Sequence, residues 1–266
     1  MQGGLIGVTA SGVILSASSA FAAIAPFTET YDGGVFTVET PTTEDDGTPV
    51  LTLENDALTV SVPDDTRTTL TVDVSNAVPA TNLKVTQSVE FNIAAVADSV
   101  SRLGFVFAAN PAPDAGEGPA DAIYAYLREP ANTRVPNFEI AGFDLDTGFI
   151  DDDPDVDDEF DVLSASTTYK LIAAVTFLSE DAILVEMELL DASDVQLDSY
   201  AYTIVDADLD EGAITGTSYG LYIRNFDAGS EIVFDNWTVT TEIVPEPATI
   251  ALLVAAGGVA TFRRRR

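Results

Sequence analysis

From Leu70 onward the chain alternates apolar and polar residues with a period of two. Leu70, Val72 and Val74 are interleaved with Thr69, Thr71 and Asp73, and Val89, Phe91 and Ile93 with Glu90 and Asn92. Leu103, Phe105 and Phe107 follow, then Ile123, Ala125 and Leu127, then Phe138 and Ile140, then Tyr169, Leu171, Ala173, Val175 and Phe177. Val185, Met187 and Leu189, then Tyr219, Leu221 and Ile223, precede a last predicted strand around Ile232 to Val239. Successive side chains of a strand point to opposite faces, so each run predicts a strand with one buried side. Pro, Gly, Asn and Asp clusters separate the runs, and no segment sustains an apolar stripe at helical spacing. About eleven strands in one core-sized unit predict an all-β fold, a two-sheet antiparallel β-sandwich or jelly roll.

The phase slips once. Ile232 and Phe234 fall on even positions, whereas Trp237 and Val239 fall on odd ones. One extra residue would produce that shift, so a β-bulge is predicted at Asp235-Asn236. Pro41 to Pro49, Asn110 to Pro119 and the acidic run Asp151 to Glu159 read as loops, and no internal repeat is visible.

Both ends depart from this pattern. Residues 1–22 are small and apolar, with a hydrophobic region around Gly12 to Phe21 and an Ala20-Phe21-Ala22 triplet. They predict a secretory signal peptide cut after Ala22, although no Lys or Arg precedes the hydrophobic region. At the other end, an uncharged stretch over 248–262 lies between Pro245-Glu246-Pro247 and the terminal Arg263, Arg264, Arg265 and Arg266. As a helix it would reach about 22 Å at 1.5 Å per residue, short of a hydrocarbon core of roughly 30 Å. Bilayer thinning and long arginine stems would supply the difference. Four arginines hold their end in the cytoplasm, which predicts that the body, residues 23–242, is exported.

Composition narrows the chemistry. The chain carries 44 Asp and Glu against 11 Lys and Arg, for a net charge of −33. Four of the eleven are the terminal arginines, so seven remain in the body. Such a surface repels nucleic acid, whose binding needs Lys and Arg against phosphate, and suits saline or calcium-rich surroundings. With no Cys there are no disulfides, thiol nucleophiles or thiolate metal sites. With no His, the usual general base, the Ser-His-Asp triad and the ordinary zinc site are excluded.

The order Pro245-Glu246-Pro247, apolar helix and Arg263 to Arg266 resembles the PEP-CTERM sorting signal, here over residues 243–266. That resemblance implies an exosortase of the inner membrane as partner, a transmembrane helix before processing, and a place on the cell surface or in an exopolysaccharide matrix. The body resembles concanavalin A-like and laminin G-like jelly rolls at two places. One is the predicted hairpin Thr168 to Asp191, and the other is the closing Val233-Phe234-Asp235-Asn236-Trp237-Thr238-Val239. The resemblance implies a structural Ca2+ at Asp235, with Glu29 or Asp32 as the second carboxylate and oxygen-only coordination. The bland reading of Asp235 is a side chain capping the bulge through nearby backbone amides. The run Asp151 to Glu159 lacks the Gly of a calcium loop and carries Pro154, so it reads first as a solvated loop.

Two constellations on strands carry candidate chemistry. Glu186-Met187-Glu188-Leu189-Leu190-Asp191 is Glu-x-Glu-x-x-Asp, near the Glu-x-Asp-x-x-Glu of jelly-roll glycosidases but with the acid types exchanged. Its alternative is an ordinary polar strand face opposite Val185 and Met187. Tyr124, Tyr126 and Arg128 share one strand face, and Tyr222 and Arg224 share another. Tyr rings beside Arg suit a glycan, through flat stacking with hydrogen bonds at the edge, although cross-strand Tyr packing produces the same pattern. The sequence thus predicts an exported, non-enzymatic β-sandwich with exopolysaccharide or another glycan as candidate ligand and Ca2+ as candidate ion. A glycoside hydrolase or lyase on the same scaffold is the alternative.

Overall fold

A computed structural model of the chain describes residues 27–29, 39–44, 50–54, 57–62, 67–74, 80–93, 101–109, 113–114, 118–119, 122–128, 137–142, 149–151, 163–179, 182–205, 216–224 and 230–244. The predicted signal peptide, and the predicted sorting tail beyond Val244, lie outside them. Two large sheets account for nearly all the described strands, and every pairing among the described residues is antiparallel.

The eight-stranded sheet runs β15 (Gln196–Val205), β14 (Ala182–Asp191), β13 (Tyr169–Ser179), β6 (Leu83–Ile93), β17 (Ser230–Ile243), β4 (Ala57–Val62) and β3 (Val50–Glu54), with β1 (Phe27–Glu29) also paired to β17. The seven-stranded sheet runs β12 (Phe149–Asp151), β11 (Asn137–Gly142), β10 (Ile123–Arg128), β7 (Arg102–Ala109), β16 (Ser218–Arg224), β5 (Arg67–Asp73) and β2 (Glu39–Glu44). A small pair, β8 (Pro113–Asp114) with β9 (Gly118–Pro119), stands apart. Between the large sheets lies one core, including Phe91, Phe105, Phe107, Phe138, Leu171, Val185, Tyr219 and Phe234. The apolar phase of the sequence therefore marks the inner face of both sheets, and the all-β sandwich is the observed fold.

All three expected loops overlap strands, the acidic run at Asp151, which closes β12. Pro41 to Pro49 begins within β2, and Asn110 to Pro119 holds β8 and β9. β2 is an edge strand with its register shifted between Glu39 and Thr42, and edges and irregularities are where a sheet tolerates a proline.

The predicted bulge is present. The pairing of β17 with β6 shifts between Asp235 and Thr238, and Asn236 has φ 52°. There β17 also changes its other neighbour, from β4, last paired at Phe234–Leu58, to β1, first paired at Trp237–Glu29. The extra residue turns Trp237 back into the core, where it is fully buried. Its indole Nε1 donates to Gln87 Oε1 at 3.3 Å, and Gln87 Nε2 donates to the Val106 carbonyl at 2.8 Å. Gln87 occupies an inward position of β6, buried and polar, because β7 is itself irregular: its register with β16 shifts, and Ala108 has φ 53°. A buried carbonyl without a partner costs about 1–3 kcal/mol, and Gln87 removes that cost by bridging one sheet to the other.

Candidate functional site

The outer face of the seven-stranded sheet, turned away from the core, is ordered by register into rows. In the first row Tyr124 is opposite Val106 and Ala141. In the second, Tyr126 is opposite Glu139 on one side and Gly104 on the other, Gly104 is opposite Tyr222, and Tyr222 is opposite Thr69. In the third, Arg128 is opposite Arg102, Arg102 opposite Arg224, and Arg224 opposite Arg67. Asn137 closes that row beside Arg128, and Glu44 closes it beside Arg67.

Gly104 makes the second row possible. A Cβ there would collide with the backbone of Ala125 and Tyr126, and without one the rings of Tyr126 and Tyr222 meet across β7 with centroids 5.4 Å apart. Tyr124 joins them, 4.7 Å from Tyr222. Together with Val106, Ala109 and Ala122 the three rings form a second apolar cluster, separate from the core. Their exposures are 3% for Tyr124, 1% for Tyr126 and 4% for Tyr222. The sequence puts Tyr124, Tyr126 and Arg128 on one strand face and Tyr222 and Arg224 on another; the strand order brings the two onto one sheet face, where the rings offer no open stacking surface. Three aromatics across neighbouring strands bury more area against one another than apart, as cross-strand pairing favours.

The charged row lies against this cluster. Glu139 is 2% exposed, and its Oε2 lies 3.9 Å from Nε of both Arg102 and Arg128. It also hydrogen-bonds with the Tyr126 side chain. Arg102 stands over the Tyr126 ring, 5.7 Å from its centroid, in cation–π geometry. A buried carboxylate must be compensated, and here two guanidinium groups and a phenol do so. Burial, and next the Glu139 charge, raise the Tyr126 pKa far above its usual value, with Arg102 opposing. Burial alone does the same to Tyr219 on the inner face. The side chain of Arg102 is 12% exposed and that of Arg128 34%, so the row is reachable from outside at Arg128.

Arg102, Glu139, Gly104 and Arg67 have no place among the sequence-predicted site residues. The usable signal is positional: Arg67 and Arg102 open their strands, whereas Arg128 and Arg224 close theirs. In antiparallel neighbours such positions fall side by side.

Other predicted residues go elsewhere. Asp235 is opposite Glu90, and its Oδ1 accepts from the Asn236 backbone N–H at 2.7 Å, which is the bulge-capping role. Glu29 is in β1 opposite Trp237, while its side chain and Asp32 are outside the described residues. Among the described residues no three Asp, Glu, His or Cys gather to hold a metal ion. Glu186 and Glu188 face outward on the eight-stranded sheet, Glu186 paired with Lys84 Nζ at 2.9 Å. Asp191 Oδ1 accepts from the backbone of Ser193 and Val195, capping the turn into β15. Glu186 is thus in an ion pair, Glu188 is exposed on the outer face and Asp191 caps a turn. Of Asp151 to Glu159 only Asp151 is described, in β12, and Pro245, Glu246, Pro247 and Arg263 to Arg266 lie outside the described residues. Among the described residues no helix is long and apolar enough to cross a membrane.

No protein-family model matches the chain, and no curated protein matches its sequence. Known structures do match its fold. A Bauhinia forficata lectin in complex with GalNAc is 11% identical, with 83% of this chain and 99% of that one covered at a TM-score of 0.50. The carbohydrate recognition domain of Emp47p is 10% identical over 84% of this chain and 98% of that one, at 0.49. An alginate lyase from the marine Aplysia kurodai is 9% identical over 83% and 99%, also at 0.49. At such identities the likeness is one of fold: the described body is a two-sheet antiparallel β-sandwich, as the strand order shows.

Proposed function

We propose that this is an exported surface or matrix protein whose β-sandwich binds glycan, without catalysis, on the outer face of the seven-stranded sheet. One observation carries the reading: five side chains picked from the sequence for glycan contact converge there, in adjoining rows across neighbouring strands. Their division of labour is revised. The tyrosines form a packed floor, and the arginines provide the polar contact, with Arg102 braced over Tyr126.

Two features weigh against the hydrolase or lyase alternative. A general base works best with a pKa near the operating pH, and Tyr126 is pushed the other way. The carboxylate beside it, Glu139, is buried between two arginines. The PEP-CTERM-like tail supplies the address, through an exosortase and the inner membrane, and Ca2+ remains a candidate ion at the β1–β17 junction. A glycan array probed with and without Ca2+ tests the body: retention of at least one glycan supports the reading, and uniform silence in both conditions overturns it. Deleting residues 244–266 should move the protein from the membrane fraction to the periplasm or medium. Unchanged fractionation would remove the sorting role.

A further inference from the structure

The body has seven Lys and Arg in a chain of net charge −33, and four of the seven stand in a single row. Arg128, Arg102, Arg224 and Arg67 are consecutive cross-strand partners on β10, β7, β16 and β5. Directly opposed like charges destabilise a sheet, and this row contains three such oppositions in succession. Folding alone would disperse them, as it does the two lysines of the other sheet, Lys84 on β6 and Lys170 on β13, each paired with a carboxylate. Glu139 lies within reach of Arg102 and Arg128, and by register Glu44 is opposite Arg67 at the far end of the row.

We propose that the arginine row is a binding site for an acidic glycan, a chain carrying an anionic group on successive sugar residues. This rests on the glycan reading of the same face and names its ligand class. Neighbouring strands are roughly 4.8 Å apart, so the row is about 14 Å long. One small anion engages one or two guanidinium groups, whereas a linear polyanion laid across the strands engages several at once. Each planar guanidinium can take a carboxylate or sulfate through paired N–H donors. Arg102 stands over the Tyr126 ring, 5.7 Å from its centroid, so the row is braced there against the cluster of Tyr124, Tyr126 and Tyr222. Duplex nucleic acid fits less well. Its phosphates carry one charge per ~1.7 Å, and the acidic body repels that density more than it repels one charge per sugar.

Full-length protein in a mild non-ionic detergent, titrated at physiological ionic strength with polygalacturonate, dextran sulfate, uncharged dextran and duplex DNA, decides the matter. Polygalacturonate should bind at least about tenfold tighter than dextran, and Arg128→Gln with Arg224→Gln should remove about tenfold of that affinity. Lys84→Gln with Lys170→Gln changes net charge equally but should alter binding by less than about twofold. Arg224→Gln alone, three strands from Glu139, carries the test if the double variant does not fold. Tighter dextran sulfate binding with the same arginine dependence supports the row and assigns it to sulfate esters. Equal losses in the arginine and lysine variants, or tightest binding to DNA, overturn the proposal. Dextran binding as tightly as polygalacturonate, with the arginine variants unaffected, overturns the acidic ligand but leaves the glycan reading standing. Binding to no glycan sinks both.

Discussion

The two outer sheet faces use the same pleat and the same scarce supply of cations in opposite ways. On the eight-stranded sheet Lys84 pairs with Glu186 at 2.9 Å and Lys170 with Asp194 at 3.1 Å, in partly exposed positions. Short polar contacts fill the rest: Ser88 and Thr238 hydroxyls are 2.7 Å apart, and Asn236 Nδ2 donates to Glu90 at 3.1 Å. This is a solvated face whose two lysines are each neutralised locally. On the seven-stranded sheet the arginines are neighbours of one another, the carboxylate is buried, and three tyrosines are packed beneath. The difference teaches that composition does not decide a face. An acidic chain with few cations can gather them, provided an aromatic floor supplies enough burial to offset the repulsion.

The sharpest way to break the contrast is Glu139→Gln. It leaves Arg102 and Arg128 without the anion they share, and breaking a buried pair costs several kcal/mol. Arg128 is a third exposed and water will compensate part of its loss, so the expected destabilisation is about 3 kcal/mol, read from the denaturant midpoint. A loss below about 1 kcal/mol would show that Glu139 is no more than a surface acid.

The alkaline limb sharpens the contrast. Tyr126 and Tyr219 both have folded pKa values raised above the unfolded value near 10, so their stabilising contribution is complete below pH 10. Above it the unfolded chain loses these two protons while the folded protein keeps them. Stability therefore falls as pH rises, by about 1.4 kcal/mol per pH unit for each tyrosine. Urea midpoints followed from pH 9 to 11 should show that slope, and Tyr126→Phe should remove about half of it. Tyr126→Phe with an unchanged slope would mean that its hydroxyl already ionises freely in the fold.

Much of this was legible in the chain, for reasons that differ by element. Strands with one face in the core announce themselves by period two, and Val89-Phe91-Ile93 and Tyr169 to Phe177 lie in the core as read. The bulge at Asp235-Asn236 was legible because a phase slip can be counted. β15 and β2 were not, since edge strands carry weaker alternation: β15 is exposed or half-buried over nearly its whole length. The tyrosine face was legible as a face, whereas ring burial depends on which strands are neighbours. Gly104 shows this most clearly, because its missing side chain matters only once β7 is known to lie between β10 and β16. The arginine row fails for the same reason: positions 67, 102, 128 and 224 share no local motif, and only the strand order aligns them.

The smallest effect belongs to the other sheet, and it completes the comparison. Glu186→Gln deletes the carboxylate that Lys84 meets, yet the two side chains are 42% and 26% exposed, so water takes over both roles. Exposed pairs contribute about 0–1 kcal/mol, and salt reduces even that, because opposite charges in water are screened within about 10 Å at 0.1 M. The expected change in the denaturant midpoint is therefore small and should vanish at high ionic strength, whereas the Glu139→Gln loss should persist because its partners are shielded from ions. Measuring both variants across a salt series separates the faces by a single property, the depth at which each carboxylate lies. If Glu186→Gln instead matched Glu139→Gln in size and salt resistance, the two faces would be electrostatically alike, and the arginine row would lose its claim to be a site rather than a surface.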